Sequence, residues 1–142
     1  MPLAVTVVTI EREVYSAADV DMVVAPGVEG VLGVLPRHEP LITALQEGAL
    51  EIVRGDEREV LAIGGGFMEV HGARVVVMAD VAERAGDIDE ARAEAARRRA
   101  EEVLAATPSQ VDADQALAAL RRATARLKVA RRAAAKRGRG GT

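Results

Sequence analysis

The chain has 142 residues, 49% of them apolar, a formal net charge of -3 and no cysteine, so it can hold one ordinary domain or a small domain with an appendage. Without cysteine, no disulfide framework, thiol nucleophile or thiolate metal site can form. Charge or glycine interrupts every apolar run before the roughly 18 residues of a membrane span, and the opening LAVTVVTI lacks the basic flank of a signal peptide.

In chain order, residues 3–10 are rich in β-branched side chains and read as a strand, and residues 20–25 as another, ending at the Pro26-Gly27 turn. Residues 27–48 carry glycine at 27, 30, 33 and 48 and proline at 36 and 40. No helix survives that punctuation, so short strands joined by tight turns are expected. Residues 49–53, 59–63, 67–70 and 74–79 continue the rhythm of a sandwich or barrel. The only aromatics are Tyr15 and Phe67. The core is therefore aliphatic, with Phe67 expected as a plug within it. His38 and His71 stand in separate turns without metal-ligand spacing and read as surface histidines. Gly64-Gly65-Gly66 lacks the Lys-Ser/Thr of a phosphate loop and reads as a turn. No nucleophile is paired with a base, which points to a binding or structural role.

The character of the chain changes over residues 81–93, VAERAGDIDEARA: from Gly86 onward alanine and arginine dominate, and glycine returns only at Gly138. Asp87 followed by Glu90 fits a capping box, which predicts a helix over 87–106 ended by Thr107-Pro108-Ser109. A second helix is expected from Asp112, with Gln115 completing its cap, to about Lys136. Its narrow stripe of Leu117, Leu120, Thr124, Leu127 and Arg131 would pack modestly in an antiparallel hairpin. The predicted organisation is α+β: an all-β domain over 1–85, a helical hairpin over 86–137 and a flexible tail over 138–142. Charge divides at the same point, with 14 acidic and 6 basic residues over 1–85 against 8 acidic and 13 basic over 86–142. So one-sided a tail implies a partner of opposite sign, unless it is a solvated helix face.

Taken together, GVEGVLGVLPRHEPLITALQEG, GGGFMEV and VVVMADVAERAGDIDEARA resemble the epsilon subunit of bacterial F-type ATP synthases, called delta in mitochondria. The likeness runs from Leu3 to about Lys136. Its most specific parts are Gly30-Val31-Leu32-Gly33 with Leu35-Pro36, then His38 and Pro40-Leu41, Gly64-Gly65, and Ala79-Asp80. The resemblance implies a ten-stranded sandwich followed by a helical hairpin. It also implies a rotor component without chemistry of its own, which binds the gamma subunit, rests on the ring of c subunits and lies peripherally at the cytoplasmic face of the membrane. The implied ring-facing loop is Glu29, Gly30, Val31, Leu32 and Gly33. Val31 departs from the acidic residue of several members.

Two further implications concern the hairpin. An extended C-terminal helix would inhibit ATP hydrolysis by reaching an acidic segment of the catalytic beta subunit, for which Arg121, Arg122, Arg126, Lys128, Arg131 and Arg132 form a cationic rail. Ile88-Asp89-Glu90-Ala91-Arg92-Ala93 also fits the Ile/Leu-Asp-x-x-Arg-Ala pattern that resembles the family's regulatory ATP motif. No cofactor is obligatory, but the folded hairpin would then hold one ATP. Asp89 could accept from the adenine amino group while Arg92, Arg99, Arg122 and Arg126 gather the phosphates, with Glu83 a further matching position. Asp89 and Arg92 equally suit a plain i,i+3 surface pair. The competing class is a non-catalytic sandwich whose basic arm binds nucleic acid or an acidic protein. The acidic, aromatic-poor strands speak against nucleic acid, and an enzyme ranks third.

Overall fold

In a computed structural model, the backbone is described for residues 2–140 and the side chains for residues 2–132. Ten strands come first: β1 (Leu3–Val8), β2 (Glu13–Val20), β3 (Met22–Gly27), β4 (Gly30–Val34), β5 (Leu41–Leu45), β6 (Gly48–Arg54), β7 (Glu57–Ile63), β8 (Gly66–His71), β9 (Arg74–Ala79) and β10 (Ala82–Arg84). A 3-10 turn (Ala85–Asp87) leads into helices α1 (Glu90–Ala105) and α2 (Gln110–Gly140).

The strands form one sheet in the order β10-β7-β6-β3-β5-β8-β9-β1-β2, with β4 paired to β3. Strands β3 and β5 share a single residue pair, Gly27 with Leu45, and there the sheet turns from one layer of the sandwich to the other. Inward-facing alternate residues of both layers make the core, led by Leu3, Leu50, Ile52, Leu61 and Met68, each fully buried. The aliphatic core and the sandwich thus follow the pattern read from the residues.

Two strands escape that pattern. β2 is an edge strand with only Val20 buried, so its sequence EVYSAADV carries little apolar alternation. β10 is three residues long and is held by pairing with Leu61, Ala62 and Ile63 of β7. The glycine turn between β7 and β8 is present as expected. Gly66 has φ +114, and a Cβ there would sit 2.1 Å from the Met78 carbonyl oxygen, so no other residue fits.

Phe67 is not a core plug. It is 53% exposed, because β8 turns Met68 and Val70 inward and places Phe67 on the opposite face. There it is cross-strand partner to Met78 and Ala44. With exposed Ile42 and Met78 it forms an apolar strip on the outer face of β5, β8 and β9.

The helix caps also fall elsewhere than expected. Asp89, not Asp87, is the N-cap of α1: its Oδ1 accepts the Arg92 backbone N–H at 3.1 Å. Asp87 lies in the preceding turn, and extended Ile88 intervenes to pack against Val60, Ala62 and Val129. α2 starts at Gln110 with the Ser109 hydroxyl accepting from the Asp112 N–H, so Gln115 lies inside the helix. Its helical backbone passes the expected end at Lys136, and residues 141–142 of the expected tail lie outside the described residues. The buried face of α2 is made by Ala116, Ala123, Leu127 and Ala130, with Ala125 and Val129 turned to the sheet, while Leu117 is 40% exposed. Alanine permits close approach of α1, whose buried contacts are Ala93 and Ala100.

α2 lies on the outer face of β6 and β7. The apolar seam there is small, with Val60, Ala62 and Val129 at its centre. Burying each valine contributes about 1.5–3 kcal/mol, so polar contacts of comparable size decide how firmly the hairpin sits.

Candidate functional site

The sandwich, α1 and α2 converge on a cavity of about 220 Å³. Ala62, Gly64, Val81 and Glu83 line it from the sheet, Ala96 from α1, and Ala119, Arg122, Ala123 and Arg126 from α2. Small side chains on all three walls create the space. The stem of Arg122 lies over Gly64, its Cδ 3.6 Å from where a Cβ would stand.

Glu83 and Arg126 meet across the cavity wall: Arg126 Nε lies 2.7 Å from Oε1, and Nη2 donates to Oε2 at 3.1 Å. Both side chains are about a quarter exposed. An ion pair this sheltered, with one hydrogen bond from Nη2, fixes both groups better than a surface pair does.

Of the residues expected at a nucleotide site, Glu83, Arg122 and Arg126 therefore come together in one cavity. Arg92 and Arg99 lie one turn either side of Ala96 on the same helix face, both exposed, and neither lines the cavity. Asp89 is half-exposed and turned onto its own helix, with Oδ2 3.6 Å from the Arg92 Nε. Ile88 and fully buried Ala93 hold the hairpin together rather than lining the cavity. The wall residues Ala96 and Ala119 went unnoticed in the sequence. The signal that could have found them is alanine recurring at spacings of three and four on both helices.

Chemically, the cavity is below the roughly 300–1,000 Å³ of ordinary small-molecule pockets. Its charged lining is limited to Glu83, Arg122 and Arg126. Among the described residues, no group of three or more His, Asp or Glu side chains gathers as a metal site.

The expected cationic rail is divided in the folded hairpin. Arg126 faces Glu83, Arg131 reaches Glu90 (3.3 Å) and Glu94 (3.2 Å) of α1, and Arg132 pairs with Glu51 of β6. Arg121, Arg122 and Lys128 form no ion pair among the described residues. On α1, Arg97 pairs with Glu94 and holds that carboxyl below its usual range.

At the far end of β3, Glu29 sits in the turn to β4, while Gly30, Val31, Leu32 and Gly33 form that strand rather than a loop. Val28, Val31 and Leu35 are exposed there, Val31 by 78%.

Residues 2–85 match the family model described as ATP synthase, Delta/Epsilon chain, beta-sandwich domain, and residues 87–131 match the long alpha-helix domain of the same chain. The sequence is similar to the ATP synthase epsilon chain of Herpetosiphon aurantiacus, 53% identical over 131 residues, covering 92% of this chain and 96% of that one. The epsilon chain of Desulforamulus reducens is 48% identical over 124 residues, covering 87% and 93%. The fold also matches a chain of the Euglena gracilis mitochondrial ATP synthase, with a TM-score of 0.78 at 23% identity, over 91% of this chain and 81% of that one.

Proposed function

This chain belongs to the ATP synthase delta/epsilon family, and from that premise we propose a central-stalk subunit that links gamma to the c-ring and whose hairpin regulates ATP hydrolysis in response to bound ATP. Within the complex it is an epsilon subunit, not a catalytic one. No helix among the described residues is long and apolar enough to cross a membrane, and its proposed place is peripheral, on the cytoplasmic face, where the ring would hold it.

The sandwich has two outer faces. The chain's own hairpin covers β6 and β7, while the strip of Ile42, Phe67 and Met78 on the other layer stays open. An exposed strip of large apolar side chains supports a protein partner there, and gamma is the partner we assign to it. The turn bearing Glu29, with Val28 and Val31, is assigned to the c-ring. Its exposed valines favour an apolar contact.

The observation that carries the regulatory reading is the cavity itself, since Glu83, Ala96, Arg122 and Arg126 come from all three elements that must separate if the hairpin opens. A ligand filling it favours the folded form by its differential affinity for that form. The folded hairpin occupies Arg126, Arg131 and Arg132 internally, so these cations become available to an acidic beta-subunit segment only after opening. Because each exposed pair contributes only about 0–1 kcal/mol, several must act together. The test is the ATPase activity of the assembled complex with the full chain or with a chain ending at Gly86. Higher activity with the shortened chain is expected; equal activity removes the brake.

A further inference from the structure

Glu51 is the only charged residue among the described residues that is buried, at 8% exposure. β6 turns its neighbours Leu50 and Ile52 into the core and places Glu51 on the outer face beneath α2. Its cross-strand partners there are Val60 and Val24. A carboxylate on an apolar face is costly to bury unless compensated. Compensation is Coulombic and comes from two sides: Arg58 Nη1 of the same sheet lies 3.5 Å from Oε2, and Arg132 Nη2 of α2 lies beside Oε1, which accepts no hydrogen bond.

We propose that Glu51 and Arg132 form a latch that keeps α2 docked on the sandwich without any ligand. The apolar seam alone is small, with Val129 packed on Val60 and Ala62. Glu83 pairs with Arg126 and Glu51 with Arg132, so lifting α2 off the sheet breaks both pairs at once. Losing Arg132 leaves the sheltered Glu51 carboxylate with Arg58 alone. Arg126 also lines the cavity, whereas Arg132 does not, which makes the latch independent of whatever occupies that space.

The experiment is amide hydrogen exchange on the isolated full-length chain without nucleotide, comparing Glu51→Gln, Arg132→Gln and the double variant. The α2 amides over 123–130 should exchange about ten-fold faster or more in each single variant, with the double no worse than the worse single. Core amides of β1, β8 and β9 should be unchanged. Arg132→Gln changes a half-exposed side chain and leaves the sandwich intact even if Glu51→Gln disturbs it. Unchanged α2 exchange in Arg132→Gln, or additive effects in the double variant, would overturn the latch. Because no nucleotide or partner is present, neither result depends on the cavity binding ATP.

Discussion

The carboxylate of Asp89 is turned onto its own helix, with Oδ1 3.1 Å from the Arg92 backbone nitrogen and Oδ2 3.6 Å from the Arg92 Nε. The two most distinctive residues of the Ile-Asp-x-x-Arg-Ala run are thus partners before any ligand arrives. Asp89→Ala removes a cap worth about 0.5–2 kcal/mol, whereas Asp89→Asn keeps an acceptor for the same N–H. Hydrogen exchange in the first turn of α1 should rise in the alanine variant and stay near that of the original chain in the asparagine variant. Equal exchange in the two would mean that the cap contributes nothing.

Nucleotide binding should depend on residues from both helices. Calorimetric titration of the isolated chain with ATP should give one site, weakened about ten-fold or more by Arg126→Ala and several-fold by Arg92→Ala, since charge-assisted hydrogen bonds contribute roughly 1.5–3 kcal/mol each. A flat titration at millimolar ATP, or equal affinities in the variants, would defeat the sensor reading while leaving the place in the stalk untouched.

The open strip makes a separate prediction. A fragment ending at Arg84 retains all ten strands and should co-purify with the remaining rotor subunits. Phe67→Asp should abolish that association without unfolding the fragment, because Phe67 is more than half exposed. Retention of Phe67→Asp on gamma would move the contact elsewhere.

The seam between β2 and β6 makes stability depend on pH. Arg54 Nε donates to Asp19 Oδ1 at 2.9 Å, and this hydrogen bond is the main cause holding the Asp19 carboxyl below its ordinary value. A carboxylate with a lowered folded pKa stabilises above its unfolded value near 4, and the contribution is lost as pH falls through the folded value. Asp19 is exposed, so the effect is modest. Urea midpoints of the original chain and Arg54→Gln should differ at pH 7 and converge at pH 2. Tyr15 emission follows the unfolding, since Tyr15 is the only tyrosine, there is no tryptophan, and the Arg84 guanidinium lies 5.8 Å from its ring.

Most of the architecture was legible because turns and apolar runs act locally. Gly64-Gly65-Gly66 and Thr107-Pro108 each stop an element through their own backbone limits, whereas Pro26-Gly27 lies inside β3, whose turn falls at Val28-Glu29 instead. What was illegible depends on neighbours distant in sequence. Which face Phe67 takes is decided by the parity of β8 relative to β5 and β9. Asp87 and Asp89 are equal candidates as caps until Ile88 is seen to pack on Val60 and Val129. β2 offers no apolar alternation, and its place comes from pairing with β1. Of the residues proposed for a nucleotide site, Glu83, Arg122 and Arg126 line one cavity, but the alanine walls between them exist only once the two helices meet the sheet.

The parallel pairing of Ala4–Val8 with residues 74–78 sets the order in which this chain can become a sandwich. β1 emerges first from the ribosome, yet one of its two edges stays vacant until β9 has been made. During that interval LAVTVV, β-branched and uncharged, is guarded only by β2, whose Glu13 and Asp19 supply charge beside it. Such long-range closure slows folding and leaves an adhesive edge open to other chains. Substitutions that neutralise β2 would then be felt first in the yield of soluble protein rather than in the properties of the finished subunit.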